Sequence, residues 1–341
     1  MPPGGKEKVK KMTCVSGVVE KDTGKEIFTR TRDKTTMAGE TAIKEMQDKY
    51  LNSSVNSFYV EDLGVRESES FPNVSVVGRL KKNVEAWEEV GASDFILDTL
   101  KSGYKIPFIQ TPEHASFQNN LSALRNKDFV TKTIEDLLEK GCIIQVQDPP
   151  TVVSPLTVFE KGDKKRLILD LRYVSSHVWK EHVKFEDFRT FQNFIQKGSY
   201  MFNFDFKSDY HHIDIFGEHW QYLGCSWEIK GKIMYFCFVV LPFPSAGEIF
   251  TKVCRVRVKY WRMNGIKIVI FIDDGIAAEI SYEKCKKEAY LVKHSIKKSG
   301  FVVNSEKTNW VPTQQVIWLG LEINTKVFSL RIKEKRRGKN S

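Results

Sequence analysis

The chain reads as an α+β protein. Three observations predict this class. Short apolar runs such as "CIIQV", "MFNFDF" and "VIWLGLEI" read as strands. Two longer segments repeat their apolar residues at three- and four-residue steps, the period of an amphipathic helix. In the second half the order is strand, helix, hairpin, helix, strands, which suits one sheet with helices on one face.

The bulk numbers set bounds. With 341 residues there is room for about two domains. A composition of 41% hydrophobic and 28% charged residues supports a packed core. The net charge of +10 favours a polyanionic partner. The 6 cysteines form no Cys-x-x-Cys pair and have no zinc spacing, so they read as free thiols of a reducing compartment and small apolar fillers. The N-terminus is basic without an apolar leader, and the longest apolar run, "IMYFCFVVLPF", is too short to span a bilayer. The expectation is an intracellular protein, of cytoplasm or nucleus, with no membrane partner, so the glycosylation sequon at Asn52-Ser53-Ser54 carries no weight.

The elements follow in order. Residues 1–75 are polar and aperiodic, and are expected to be mostly disordered. Asp94 is placed to cap a short helix through Leu100, with Gly103 as its stop. In "DFVTKTIEDLLEKGCIIQV", Val130, Ile134, Leu137 and Leu138 share a helical face, Gly141 ends the helix, and "CIIQV" is a strand. "SPLTVFEKGDKKRLILDLRYV" predicts two strands about a Gly162-Asp163 turn, with Lys161, Lys164, Lys165 and Arg166 clustered there. "MFNFDF" and "KIMYFCFVVLPF" read as strands, the second expected to be buried. A helix over 247–262 carries Lys252, Arg255, Arg257, Lys259 and Arg262. "IKIVIFIDDGIAAEI" reads as a hairpin turning at Asp273-Asp274-Gly275, because Asp-Gly between apolar runs is a strong turn signal. Ser281 caps the next helix, whose Tyr282, Cys285, Ala289, Val292 and Ile296 repeat at helical steps until Gly300. "VIWLGLEI" and "VFSLRI" are the last strands, and a basic tail covers 333–341.

The sheet order brings Asp205 near the Asp273 hairpin. Alone, Asp273-Asp274 is most often a plain turn, and Asp205 an ordinary polar strand end. Together they change the reading. Carboxylates at neighbouring strand ends repel unless a divalent cation lies between them, and hard oxygen ligands suit Mg²⁺ with substrate phosphates. Two such ions activate an attacking hydroxyl and stabilise leaving pyrophosphate.

Here the sequence resembles a known family. "FNFDFKSDYHHI" is similar to motif A of reverse transcriptases, "LPFPSAGEIFTK" to motif B, and "FIDDG" to motif C. "GFVVNSEKTNWVP" with "VIWLGLEI" is similar to motifs D and E, and "KKRLILDLRYV" to the fingers motif before motif A. All are in the family's order over roughly 78–332, and "SGYKIPF", "LLEKGCI" and "VSPLTVF" are most like retrotransposon polymerases of the DIRS type.

The resemblance implies a right-hand polymerase. Fingers and N-terminal helices would fill 76–200, and a palm with motifs A to E would fill 201–332. That palm would be a ferredoxin-like antiparallel sheet, with the thumb largely missing. It implies an RNA-directed DNA polymerase adding dNTPs to a primer 3′-OH on an RNA or DNA template. Two Mg²⁺ ions, or Mn²⁺ in their place, would sit on Asp205 and Asp273 beside Asp274. Lys307 would protonate the leaving pyrophosphate. Lys161, Arg166, Phe206 and Tyr210 would bind the dNTP, with Tyr210 as the steric gate against a ribose 2′-OH. Pro242, Phe243 and Ser245 would meet primer and template, and Trp318, Leu319 and Gly320 would form the primer grip. The rest of a retroelement polyprotein is the implied partner.

Each residue also has a plainer reading: Tyr210 as a core aromatic, Lys161 and Lys307 as solvated charges, His211 and His212 as part of a strand after motif A. The basic face from Lys252 to Arg262 is expected near phosphates.

The motifs depart from the family in two places. Motif B is about two residues short and has Pro244 where a permissive glycine is usual. Asp209 replaces the usual small residue before the gate aromatic. These departures, and a chain that ends soon after motif E, favour a second reading: a catalytically dead retroelement-derived fragment that binds nucleic acid. A third is an unrelated Mg²⁺ phosphotransferase, which has no use for Tyr210 or the Trp318-Leu319-Gly320 strand.

Overall fold

A computed structural model of the chain describes residues 75–162, 164–179, 183–207, 209–242 and 246–332. The expectations of disorder over 1–75 and of a basic tail at 333–341 fall, but for residue 75, outside the described residues.

The first part runs α1 (Arg79–Lys82), α2 (Glu85–Glu88), α3 (Asp94–Ser102), β1 (Ala115–Ser116), α4 (Leu121–Arg125), α5 (Lys127–Glu139), β2 (Ile143–Val146), β3 (Val152–Val153), β4 (Leu156–Lys161), β5 (Lys164–Leu169), α6 (Arg172–Ser176) and α7 (Phe188–Gln192). The second runs β6 (Tyr200–Asp205), β7 (Gly224–Ile229), β8 (Lys232–Phe238), α8 (Ala246–Met263), β9 (Ile268–Phe271), β10 (Asp274–Glu279), α9 (Tyr282–Lys298), β11 (Asn309–Thr313), β12 (Gln315–Trp318), β13 (Leu321–Asn324) and β14 (Ser329–Ile332). The strands form sheets of order β1-β3-β7-β8-β2, β11-β6-β10-β9, β12-β13-β14 and β4-β5. Among the described residues no helix is long and apolar enough to cross a membrane.

The antiparallel sheet β11-β6-β10-β9 is the frame on which the site is built. Successive strand residues point to opposite faces, and here both faces are covered. Phe202, Phe204, Ile268, Ile270 and Ala277 pack with Phe250, Val253 and Trp261 of α8 and with Cys285, Ala289, Val292 and Ile296 of α9. Met201, Val269, Phe271, Ile276 and Ala278 pack instead with Phe188 and Phe191 of α7 and with Val316, Trp318, Leu321 and Ile323 of the three-stranded sheet. Double coverage explains why "IVIF" is continuously apolar rather than alternating. The cysteines among the described residues are buried free thiols, and burial raises the pKa of Cys237 to about 11 and that of Cys285 to about 12.

Several helix signals hold. Gly103, Gly141 and Gly300 adopt left-handed backbone (φ 92°, 71° and 88°) where helices were expected to stop. Ser281 caps α9 by accepting from the Lys284 N–H. Other expectations are corrected. The N-cap of α3 is Ser93, and Asp94 begins the helix. His211 and His212 lie in a 3₁₀ turn, not a strand; His212 Nε2 accepts from the Val302 N–H at 3.1 Å and His211 Nδ1 lies 3.6 Å from Cys142 Sγ. The strand expected over "KIMYFCFVVLPF" stops at Phe238.

The basic face of α8 is divided. Arg257 is buried, donates to the Ala86 carbonyl at 2.8 Å and stacks on Trp87. Arg262 forks onto Glu186 with two bonds of 2.7 Å. Arg255 bonds the Lys184 carbonyl and Lys252 lies over Phe95. Arg257 and Arg262 thus tie α8 to backbone carbonyls and to Glu186, whereas Arg255 and Lys259 are exposed.

The hairpin turn is displaced from its sequence signal. Phe271 pairs with Asp274, so the two turn residues are Ile272 and Asp273, and β10 already begins at Asp274. Gly275 is a strand residue. It is glycine because Phe204 lies across it: a Cβ there would meet the Phe204 ring at 2.2 Å. Gly275→Ala therefore overpacks the sheet. The expected loss is about 1–3 kcal/mol of stability, read as a lower midpoint in urea at an unchanged slope.

Candidate active site

Asp205 is the last residue of β6 and faces the side of the sheet away from α8 and α9, together with Met201 and Asn203. It is 3% exposed. The β6–β10 register sets Asp205 opposite Asp274, and the Phe206 N–H donates to the Asp273 carbonyl at 3.0 Å. One ladder thus brings Asp205 and Asp274 side by side, with Asp273 in the adjoining turn. The turn has strain: Ile272 has φ 56°, a conformation β-branched residues rarely adopt. Such strain costs about 1–3 kcal/mol and persists only where the surroundings impose it.

A second segment closes over the pair. The Asn304 N–H donates to the Asp205 carbonyl at 2.8 Å, and the Asp205 N–H donates to Thr308 Oγ1 at 3.2 Å. The turn from Asn304 to Thr308 presents Lys307, whose Nζ lies 3.1 Å from Asp205 Oδ2. Burial lowers the Lys307 pKa, but the carboxylates, Asp205 first, outweigh it and hold the ammonium above its usual range. Asp274 is pushed the other way. Burial, then the charges of Asp273 and Asp205, raise its pKa to about 8, with a hydrogen bond to Asp205 adding to the rise and Lys307 opposing it.

The three-stranded sheet buttresses this arrangement. Trp318, 2% exposed, donates from Nε1 to the Asp274 carbonyl at 3.3 Å and meets Phe191 edge to face. Leu319 and Gly320, with φ 48° and 73°, make the two-residue turn between β12 and β13, the primed type that hairpins favour.

Asp205, Asp273, Asp274, Lys307 and Trp318 are therefore brought together. Phe206 is adjacent in sequence, but its ring is buried on Phe301 and Phe250, so any ligand contact falls to its backbone. Tyr210 is half-buried in the 3₁₀ turn, packed edge to face on Phe250, with its hydroxyl beside Gly247. Lys161 and Arg166 stand apart on the β4–β5 hairpin, where opposed pairs Lys161–Lys164 and Phe159–Arg166 share one face. The other face buries Leu156, Val158, Leu167 and Leu169. Pro242 is half-buried. Phe243, Pro244 and Ser245, and the side chain of Asp209, lie outside the described residues. Sequence reasoning missed Thr308, Asn304 and Ile272; the only signal was their adjacency to Lys307 and Asp273.

The site's oxygens suit a divalent cation: they are hard donors, and their mutual repulsion already raises the Asp274 pKa. Among the described residues no three His, Cys, Asp or Glu side chains stand ready as a metal cluster, and Asp205 Oδ2 is engaged by Lys307. A cation would therefore take the ammonium's place on Asp205.

No protein-family model and no curated protein matches the chain. Solved structures do. A foamy viral protease-reverse transcriptase in complex with double-stranded DNA is 18% identical with a TM-score of 0.52, over 76% of this chain and 48% of that one. The foamy viral protein in complex with an RNA/DNA hybrid is 17% identical with the same TM-score, over 76% of this chain and 37% of that one. A prototype foamy virus protease-reverse transcriptase mutant is 16% identical, also at 0.52, over 77% and 37%. The chain has a reverse transcriptase-like fold. It spans about half or less of the length of these viral chains.

The shifted Asp274 carboxyl has a consequence for stability. Its folded pKa of about 8 lies above the ordinary 3.8, so between these values the folded state holds a proton that the unfolded state has released. Stability therefore falls as pH rises from about 4 to 8. Asp274→Asn, in chelator, should flatten this slope and melt at least about 3 °C above the parent at pH 8, by scanning calorimetry.

Proposed function

We propose that the chain is the fingers and palm of an RNA-directed DNA polymerase, of a retrotransposon most similar to the DIRS type. The observation that carries this reading is the ladder that sets Asp205 opposite Asp274, with Asp273 in the strained turn and Lys307 over it, in a reverse transcriptase-like fold. In this reading β11-β6-β10-β9 is the palm sheet and the β4–β5 hairpin belongs to the fingers.

Asp205 and Asp273 would hold Mg²⁺, or Mn²⁺ in its place, with Asp274 beside them. When bound, the ions supply an activated 3′-oxygen and charge stabilisation at the phosphoryl group. The protein's own part is positioning. Lys161 and Arg166 grip the triphosphate, Arg166 through its planar fork of donors. The Tyr210 ring meets the sugar where a 2′-OH would project. Lys307, moved off Asp205, has a proton to give to the departing pyrophosphate, and its raised pKa keeps that proton in place beforehand. Trp318 anchors the Leu319-Gly320 turn against the Asp274 backbone, so primer grip and carboxylates move as one unit. Pro242, Phe243 and Ser245 would face template and incoming base. The remainder of an element polyprotein would be the partner, inside the cell.

A second reading, a scaffold that binds nucleic acid without catalysis, is favoured by Pro244 in a shortened motif B and by Lys307 seated on Asp205. Primer extension separates the two. With a primed RNA template, dNTPs and Mg²⁺ or Mn²⁺, extension should fall at least about 10²-fold in Asp273→Asn. Template binding without extension in a folded parent protein would establish the second reading. For the gate, Tyr210→Ala should raise ribonucleotide use relative to dNTPs roughly tenfold, measured as a ratio of kcat/KM values. Metal binding has its own readout: Mg²⁺ should raise the melting temperature of the parent at pH 8 and leave Asp205→Asn unmoved.

A further inference from the structure

We propose that the outer face of α9 binds a single nucleic-acid strand, on the side of the sheet opposite the carboxylates. The inner face of α9 buries Cys285, Ala289, Val292 and Ile296 against the sheet face of Phe202 and Phe204, whereas Asp205 and Asp274 project from the other face. The outer face of α9 is therefore a surface separate from the candidate active site, and the proposal does not rest on the polymerase reading.

That face is basic and aromatic together. Lys286, Lys287, Lys293 and Lys297 are exposed, and among the described residues none of the four is in an ion pair. Its other lysines are engaged: Lys284 with Glu279 at 2.5 Å and Glu288 at 3.6 Å, and Lys298 with Glu89. Glu283 is the one exposed acid of the helix. Tyr290 is 69% exposed and lies nearly parallel to the His294 ring, at 6.3 Å and 20°. Leu291 beside it is 55% exposed.

The order along the helix matters. Tyr282, Lys286, Tyr290, Lys293 and Lys297 follow at steps of three or four, so they form one stripe, about 22 Å long at 1.5 Å per residue. Lys286 stands between the Tyr282 and Tyr290 rings, and Lys293 and Lys297 extend the stripe beyond them. Single-stranded nucleic acid offers the matching repeat of phosphates for the ammoniums and bases for the rings. The contrast with α8 is informative, since Arg255, Arg257 and Arg262 of that helix already have internal partners. An acidic protein segment would use the lysines but has no use for exposed stacking rings.

The test uses the full chain, with labelled oligouridine and oligothymidine followed by fluorescence anisotropy across a salt series. Replacing Lys286, Lys287, Lys293 and Lys297 together by Ala should weaken binding and reduce the slope of log K against log salt by about 2 to 3, at about 0.7 per lost phosphate contact. Tyr290→Ala should weaken binding about fivefold or more at fixed salt. Neither quantity requires dNTPs, a primer or extension, so failure of the polymerase reading would not touch this one. Parent-like affinity and slope in folded variants, checked by circular dichroism and melting, would overturn the proposal. So would a lysine effect equal for polyglutamate with Tyr290→Ala silent, which would assign the face to an acidic protein.

Discussion

Everything near the candidate site follows from one constraint: two antiparallel strands set Asp205 directly opposite Asp274. Antiparallel partners on one face lie only about 4.5–5.5 Å apart at Cβ, and like charges at that distance destabilise a sheet. The chain meets the conflict in two ways at once. Lys307 places an ammonium on Asp205. Burial and the charges of Asp273 and Asp205 raise the Asp274 pKa, so its carboxyl resists ionising. Strain adds to the repulsion at this point, since the neighbouring turn residue Ile272 has a left-handed φ of 56°. Repulsion and strain are thus concentrated at one point that buried aromatic residues surround, at a cost to stability.

The packing explains how that point is kept fixed. A one-residue slip would move Phe202 and Phe204 onto the face packed by Phe191 and Trp318 and would bury Asp205 among the helices, so the packing on both faces fixes the register. Gly275 tightens this further, because only a residue without a side chain leaves room for the Phe204 ring. Trp318 then ties the three-stranded sheet to the Asp274 backbone. Fold and site are thus coupled through a few contacts, and the likeness to foamy viral protease-reverse transcriptase chains at 18% identity or less is a likeness of this framework.

Charge is divided in a way composition did not disclose. The cations of α8 and those of α9 look alike in sequence. In the structure the α8 arginines close the core and cap backbone carbonyls, and four α9 lysines face outward beside exposed rings. The difference is geometric. Arg257 and Arg262 have acceptors in reach across the fold, and the outer lysines of α9 have none among the described residues.

The sequence by itself determined much of the framework. Helical periodicity located α5 and α9, apolar runs located β6, β9 and β10, and glycines marked the helix ends, because these signals depend on contacts between near neighbours. The motif order also brought Asp205, Asp273 and Lys307 under one hypothesis. Only the tertiary structure decided which residues turn the hairpin, since Asp-Gly marks a turn locally but Phe204 claims the space above Gly275. Only it decided that Phe206 is core, that the His211-His212 pair sits in a 3₁₀ turn, and that Arg257 faces inward. Each of those outcomes is set by a partner distant in the chain, and no local pattern encodes what a side chain will meet there.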